Sequence, residues 1–126
     1  MVIDASAVVL GLLNDADARR VMIHEALAVP HLVDSEVARA LRGQVLRGAI
    51  SEATASRAVG RWARVGVIRF AAVGLLERVW DLRQNVSAYD GTYVALAESL
   101  DCHLVTADAR LGRAPGPRCP ITVLRS

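Results

Sequence analysis

The chain contains no lysine, and all fifteen of its basic residues are arginine. This absence excludes every mechanism that needs a catalytic lysine or a lysine at a phosphate site, including the phosphoryl-receiver domain and the P-loop. No G-x-G-x-x-G element is present, which excludes a Rossmann dinucleotide site. The first apolar run ends in Asp4-Ala5-Ser6, which lacks the second aspartate that haloacid-dehalogenase-type phosphatases need. Codon bias in a GC-rich genome is an alternative reason for the missing lysine.

Aromatic residues, long apolar runs and cysteines are also scarce. Aromatics make up 4% of the chain, so the core must be aliphatic and a base-stacking platform is not expected. No apolar run approaches the roughly 20 residues that span a bilayer, and no secretory leader opens the sequence. Cys102 and Cys119 are isolated, so they form neither a disulfide framework nor a Cys/His metal site. We expect a protein of the reducing cytoplasm with no membrane partner.

What is present is an apolar fraction of 53% over 126 residues, enough for one domain that spans 1–126. Short apolar runs, typical of buried strands, alternate with longer segments of helical periodicity. The predicted strands are 2–3, 27–30, 67–73, 103–106 and 121–124. The predicted helices are 5–13 (ending near Asn14), 16–26, one from about Asp34, 51–65 (with Ala55, Val59 and Trp62 on one face), 75–82 and 87–100. This alternation predicts a three-layer α/β/α fold with a short, mainly parallel central sheet.

Four acidic residues follow strands or begin helices at the same predicted edge of this sheet. Asp4 and Asp108 come just after apolar strand runs, whereas Glu36 and Asp90 lie in the first turns of helices. Ligands of an open parallel sheet bind beyond the carboxyl ends of its strands. The four carboxylates are therefore expected to meet at one place, although they span 104 positions of sequence.

Repulsion between these carboxylates favours a metal ion among them. Two carboxylates about 4 Å apart repel by roughly 4 kcal/mol at an effective dielectric constant near 20. An all-oxygen anionic site suits Mg²⁺ or Mn²⁺, which orient a phosphodiester and activate water. The pattern therefore indicates metal-assisted hydrolysis of a phosphodiester.

Each carboxylate also has a purely local alternative. Asp4 and Asp108 are placed to cap the helical segments that follow them. Glu36 is placed to complement a helix dipole and to pair with Arg39, and Asp90 to complement the dipole of its own helix.

Four stretches of sequence, in this order and spacing, resemble the motifs of PIN-domain ribonucleases, most closely the VapC-type toxins of bacterial toxin–antitoxin pairs. They are Val2-Ile3-Asp4-Ala5-Ser6-Ala7, the segment 29–41 with Asp34-Ser35-Glu36, Ser87-Ala88-Tyr89-Asp90-Gly91-Thr92-Tyr93 with its continuation to Glu98, and Leu104-Val105-Thr106-Ala107-Asp108. The resemblance implies that Asp4, Glu36, Asp90 and Asp108 are the catalytic, metal-binding residues. It also implies that Ser6 and Thr106 support them; satisfying local backbone groups is the alternative role for these two hydroxyls.

The resemblance further implies a Mg²⁺- or Mn²⁺-dependent endoribonuclease that cleaves tRNA or ribosomal RNA and blocks translation. Its partners would be a small antitoxin protein and a second copy of itself, in a homodimer and in a heterotetramer or larger assembly with the antitoxin. The helices over 16–26 and 36–46 are candidates for apolar surface that a partner covers. A catalytically inactive PIN-like module that binds RNA or acts as a scaffold is the alternative function.

A basic segment separates the first two acidic motifs from the third. Between Val37 and Trp80 there are eight arginines and two glutamates, a local balance of +6. Such a segment suits a polyanion whose backbone is held while one phosphate reaches the acidic site. The predicted RNA-binding residues are Arg39, Arg42, Arg47, Arg61 and Arg64. A solvated helix face with arginine stems over apolar surface is the alternative.

Overall fold

The computed structural model describes residues 1–13 and 15–125, in which five strands form one parallel sheet. The strands are β1 (Val2–Ile3), β2 (Leu27–Pro30), β3 (Val67–Phe70), β4 (Leu104–Thr106) and β5 (Ile121–Val123). The helices are α1 (Ala5–Leu12), α2 (Ala16–His24), α3 (Leu32–Leu46), α4 (Glu52–Trp62), α5 (Leu76–Asp81), α6 (Ala88–Ser99) and α7 (Ala109–Arg113), with a 3₁₀ turn at Val73–Leu75. The predicted three-layer α/β/α fold is confirmed.

The strand order β3-β2-β1-β4-β5 places the first strand in the centre of the sheet. The chain runs outward from β1 to β2 and β3, and then crosses back through α5 and α6 to β4. Right-handed crossovers therefore put α1 to α4 on one face of the sheet and α5 to α7 on the other. The strand order reverses between β1 and β4, and an open α/β sheet binds its ligands at such a switch point.

The core is mainly aliphatic, as the low aromatic content predicts, but it also contains the buried aromatic side chains of Trp62 and Tyr93. Both residues of β1 and all of β4 are buried, because helices cover both faces of the sheet. Helix α6 contacts β1, β2 and β4 and is buried continuously over 91–97, so it lies across the centre of the sheet. This position brings the beginning of α6 to the switch point.

Several predicted boundaries are wrong by a few residues. The strand predicted over 67–73 ends at Phe70, because its neighbour β2 ends at Pro30, with which Phe70 is paired. Helix α4 ends at Trp62 rather than at 65, and α2 at His24 rather than at 26. Asn14, near which the end of the first helix is predicted, lies outside the described residues. No helix among the described residues is long and apolar enough to cross a bilayer.

Helix α3 begins at Leu32, two residues before the predicted start at Asp34. Asp34 therefore does not cap this helix. Its carboxylate instead accepts hydrogen bonds from the indole N–H of Trp62 at 2.8 Å and from two guanidinium nitrogens of Arg69 at 2.8 and 2.9 Å. This network ties α3 to α4 and to the edge strand β3, and it lowers the pKa of Asp34, chiefly through the hydrogen bond from Arg69.

Candidate active site

Four carboxylates from separate parts of the chain are found at the carboxyl edge of the sheet, at the switch point, and are called the acidic rim below. Asp4 follows β1 and caps α1, and Asp108 follows β4 and caps α7. Asp90 lies in the first turn of α6, and Glu36 lies one turn into α3. The fold therefore brings together the four residues that the sequence singles out.

Asp4 is held rigidly by its neighbours on both strands of the switch point. Its Oδ1 accepts hydrogen bonds from the Ser6 hydroxyl at 2.6 Å and from the Ala7 N–H at 3.1 Å. Its Oδ2 accepts one from the Thr106 hydroxyl at 2.5 Å. Since only 5% of Asp4 is exposed, these three donors fix the orientation of a buried carboxylate.

The two hydroxyls also bond to the segment after β4, one from the first turn of α1 and one from the end of β4. The Ala107 N–H donates to the Ser6 hydroxyl at 2.9 Å, and the Asp108 N–H donates to the Thr106 hydroxyl at 3.0 Å. Ser6 and Thr106 thus each contact Asp4 and also satisfy a backbone group, so the contacts that both proposed roles require are present.

Glu36 is oriented by a tyrosine that the sequence analysis did not single out. The hydroxyl of Tyr93 donates to Glu36 Oε1 at 2.5 Å, and Tyr93 itself is buried. Burial, followed by the bond to Glu36, raises the pKa of Tyr93, so the hydroxyl remains a donor. The pairing of Glu36 with Arg39 that was considered as an alternative is not found among the described residues.

Negative charge accumulates at the acidic rim. Burial raises the pKa of Asp4, Glu36 and Asp90 above the ordinary range of each carboxyl. The rise at Asp4 is increased by Asp108, that at Glu36 by Asp90 and Asp4, and that at Asp90 by Asp4 and Asp108. Asp4 and Asp90 therefore each interact electrostatically with all three of the other carboxylates, so the four form one cluster.

Little positive charge on the chain itself compensates this cluster. Over residues 1–13 and 15–125, Asp4, Glu36 and Asp90 make no ion pair. Asp108 lies 3.5 Å from the guanidinium of Arg110, but 88% of that arginine side chain is exposed, so the pair contributes little. Arg39 opposes the rise in the pKa of Glu36 and Arg110 opposes that of Asp90, but within the described residues neither forms an ion pair with that carboxylate, so much of the charge stays uncompensated.

The donor chemistry and the uncompensated charge of the rim fit a hard divalent cation such as Mg²⁺ or Mn²⁺. The side-chain positions fit it less well: within the described residues, no three acidic, histidine or cysteine side chains are arranged to hold a metal ion. Three hydrogen bonds already hold the carboxylate of Asp4, so binding a metal ion would require the less buried carboxylates to change their side-chain positions.

The structure divides the predicted RNA-binding arginines between two surfaces. Arg39, Arg42 and Arg47 are exposed along α3 and line a cavity of about 510 Å³ that Glu36 and Ser6 also line. Arg61 and Arg64 line a separate apolar groove between α1, α2 and α4. Only the first three arginines therefore lie beside the acidic rim.

A family model described as the PIN domain matches residues 1–117, a range that contains all four carboxylates of the rim. Ribonuclease VapC9 of Mycobacterium tuberculosis (strain ATCC 25618 / H37Rv) is 52% identical to this chain over 124 residues, which cover 98% of each protein.

Solved structures share the fold. The crystal structure of PAE2754 from Pyrobaculum aerophilum superposes with a TM-score of 0.73 at 28% identity, covering 95% of this chain and 81% of that one. VapBC2 from Rickettsia felis, solved bound to a DNA fragment from their promoter, superposes with a TM-score of 0.68 at 13% identity and covers 98% of both chains. At that identity, the second likeness bears on the fold alone.

Proposed function

This chain belongs to the PIN-domain family, in its VapC branch, and from that membership and the acidic rim we propose that it is a metal-dependent endoribonuclease. The observation that carries the proposal is the meeting of four carboxylates at the switch point of the sheet, three of which form no ion pair within 1–13 and 15–125. A structural acidic cluster would be expected to recruit arginines from the fifteen available.

Asp4, Glu36, Asp90 and Asp108 are the residues that would hold Mg²⁺ or Mn²⁺. When bound, such an ion lowers the pKa of water and stabilises the negative charge that develops on a phosphodiester under attack. The chain's own residues prepare the site for it. Ser6 and Thr106 hold the carboxylate of Asp4, and Tyr93 donates to one oxygen of Glu36, so Asp4 would keep its orientation while the less buried carboxylates adjust to the ion.

RNA is the proposed substrate, with tRNA or ribosomal RNA as the expected class and inhibition of translation as the outcome. Arg39, Arg42 and Arg47 supply the electrostatic support, because their cavity adjoins Glu36 and their guanidinium groups can each bind a phosphate through two N–H donors. In this arrangement the arginines hold the phosphates that flank the one at the acidic rim. The charges attract the backbone and do not read the sequence of the RNA.

A small antitoxin is the proposed inhibitor. The groove between α1, α2 and α4 is lined by Leu12, Met22 and Val65, and the side chain of Ile23 beside it is 68% exposed. This exposed apolar surface includes α2, one of the two helices for which the sequence predicts a covering partner. An antitoxin arginine inserted among the carboxylates would neutralise the rim in place of the cation.

Self-association is proposed as well, as a homodimer and as a heterotetramer or larger assembly with the antitoxin. Val73, Leu76 and Trp80 are 77%, 55% and 66% exposed and follow one another at helical spacing on the 3₁₀ turn and α5. This patch supplies apolar area for a second copy.

The products of RNA cleavage test the proposed mechanism. Because water is the nucleophile in metal-assisted hydrolysis, we expect a 5′-phosphate and a 3′-hydroxyl at each cut. Cleavage is expected to stop when EDTA removes the metal and to resume when Mg²⁺ or Mn²⁺ is restored. Ligation-based sequencing of the RNA ends, with and without prior kinase treatment, distinguishes these ends from others.

Ends that carry 2′,3′-cyclic phosphates would contradict this mechanism, because they form when the hydroxyl of the RNA attacks its own phosphate. RNA that binds but is not cleaved under any metal condition would favour the inactive RNA-binding module instead.

Replacing Thr106 by valine tests whether this hydroxyl positions Asp4. Valine removes the donor to Asp4 and leaves the Asp108 N–H without its acceptor, so we expect stability to fall by about 1–3 kcal/mol. Cleavage is expected to fall roughly 10–100-fold, as is typical when the support of a metal ligand is lost. The acid limb of the pH–rate profile should also move to higher pH, since Asp4 loses a hydrogen bond that lowers its pKa.

Thr106→Ser provides the matched control, because serine keeps the hydroxyl and loses only a methyl group. The serine variant should recover most of the cleavage and the original pH profile. Equal loss in both variants, with an unchanged acid limb, would mean that Thr106 acts through packing alone.

A further inference from the structure

The two cysteines of the chain lie at the end of the sheet opposite the acidic rim. Cys102 precedes β4 by two residues, and Cys119 precedes β5 by two residues. Both are half-buried free thiols, and both pack against the hydrophobic core. The function proposed above uses neither of them.

The strand register places the two cysteines at matching positions ahead of β4 and β5. Leu104 is the partner of Ile121 in this parallel pair, and Cys102 and Cys119 each lie two residues before that first pair. The segment before β5 already contacts the start of β4, because the Leu104 N–H donates to the Pro120 carbonyl at 3.0 Å. Residues directly opposite in neighbouring strands lie about 4.8 Å apart, within the span of roughly 4.4–6.8 Å that disulfides bridge.

The side chains face the same space. Both cysteines line a cavity of about 520 Å³, together with Ala97 of α6 and charged neighbours such as Glu98 and Arg118. Cys102 also contributes to raising the pKa of Cys119, in keeping with their shared cavity. The cavity is large enough to admit a small thiol reagent beside them.

We propose that Cys102 and Cys119 are a modification site: an intrachain pair that forms a reversible disulfide when it meets a small-molecule disulfide such as oxidised glutathione. The two thiols lose two protons and two electrons and gain one S–S bond. The oxidant accepts the electrons and leaves as two molecules of reduced thiol, by exchange through a mixed disulfide.

The disulfide would join the ends of the segment 102–119, which carries Thr106 and Asp108 on its way past the acidic rim. Closing this loop restricts the unfolded chain and therefore stabilises the fold. Because the bond forms at the amino ends of β4 and β5, it leaves the carboxyl edge of the sheet unchanged. The modification thus stabilises the protein under oxidising conditions without contacting its candidate active site.

The neighbours of Cys119 make this reaction slow. Burial, followed by the negative charge of Glu98, raises the pKa of Cys119 to about 11, and Arg78 opposes the rise. Little Cys119 thiolate is present at neutral pH, and the thiolate is the attacking species. We therefore expect the disulfide to form over minutes to hours rather than in seconds.

The test uses the full chain, first reduced and then incubated with oxidised glutathione. The number of free thiols should fall from two to none, and the intact mass should fall by that of two hydrogen atoms. Trypsin cuts after Arg110, Arg113 and Arg118, so the two cysteines lie in different peptides, which should remain joined until a reductant is added. The melting temperature should rise by roughly 5–10 °C.

Cys102→Ser and Cys119→Ser are the matched controls, and each should take up one glutathione with no comparable rise in melting temperature. Two glutathione adducts on the unmodified sequence, or a disulfide between two chains, would overturn the proposal. Joined peptides with a lowered melting temperature would overturn it too, because the bond would then distort the fold. None of these measurements depends on RNA cleavage.

Discussion

Replacing Asp90 by asparagine is expected to lower the rate of RNA cleavage by roughly 10³-fold or more. Among the residues that the structure describes, the carboxylate of Asp90 makes no ion pair, and Ser87 caps its helix, so the substitution removes charge with little structural cost. A metal centre contributes several kcal/mol to the stabilisation of the transition state, and each tenfold in rate corresponds to about 1.4 kcal/mol. Initial rates on a labelled RNA substrate at saturating Mg²⁺ measure this loss.

Asp17→Asn is the matched control for this substitution. Asp17 lies on α2, away from the acidic rim, and forms an exposed ion pair with Arg20 at 3.4 Å. This variant should cleave RNA at the rate of the unmodified protein. If Asp90→Asn also cleaved at that rate, Asp90 would have no part in the chemistry.

The metal-free protein is expected to become more stable as the pH falls from neutral towards about 4, the unfolded-state pKa of a carboxyl group. Asp4, Glu36 and Asp90 have a higher pKa in the folded than in the unfolded chain, so the folded state binds more protons. Their charge destabilises the fold above the folded-state pKa, and this penalty disappears as they become protonated. Solvent screening reduces this penalty at the half-buried positions of Glu36 and Asp90, so the expected change on acidification is a modest increase in stability.

Two other carboxylates limit this gain at lower pH. Arg69 lowers the pKa of Asp34. Burial acts to raise the pKa of Glu98, but Arg78 and the Arg118 N–H outweigh it and lower the pKa. Groups of this kind stabilise the fold above their unfolded-state pKa, and that contribution is lost as the pH falls through the lowered folded-state value. Stability should therefore pass through a maximum and then decline below about pH 4.

Urea denaturation at several pH values, with EDTA or with Mg²⁺, measures these effects. Mg²⁺ should stabilise the protein most at neutral pH, where the rim is most negatively charged. With Mg²⁺ bound, acidification should therefore no longer increase the stability of the protein. The variant Asp90→Asn should be more stable than the unmodified protein without metal and should respond less to Mg²⁺. A steady fall in metal-free stability from about pH 7.5 downward would contradict the electrostatic description of the rim.

The architecture could be predicted from the sequence because its signals are local. Apolar runs of two to four residues alternate with helical segments, and Ser51 and Ser87 mark helix starts that the structure confirms. Element boundaries that depend on a neighbouring element were harder to predict from the sequence. The end of β3 depends on where its partner β2 ends, and the sequence of residues 67–73 contains no signal for that pairing.

Burial on a single helix was harder to predict than the helix itself. The spacing on α4 suggested that Val59 faces inward, but Val59 is 46% exposed and Ala58 is fully buried. Alanine gives a weak periodic signal, so the larger valine dominated the pattern. Asp34 shows the same limit, since its contacts with Trp62 and Arg69 lie 28 and 35 positions away.

The positions of the rim carboxylates followed from their places at strand and helix ends, which a parallel sheet brings together. The hydrogen-bond partner of Glu36 could not be predicted in this way, because Tyr93 lies 57 positions away and reaches Glu36 only through the packing of α6 on the sheet. One signal was available: Tyr93 comes three residues after Asp90 and therefore lies on the same side of the helix. The division of the arginines between two surfaces likewise depended on tertiary structure.

Calorimetric titration of Mn²⁺ into the metal-free protein tests most directly whether the acidic rim is one metal centre. We expect saturable binding near neutral pH, with affinity that weakens as the pH falls, because protons and the metal compete for the same carboxylates. Asp4→Asn and Asp90→Asn should each abolish this binding, whereas Asp17→Asn should preserve it. Binding that persists in both rim variants, or no binding at all to the folded protein, would contradict the account.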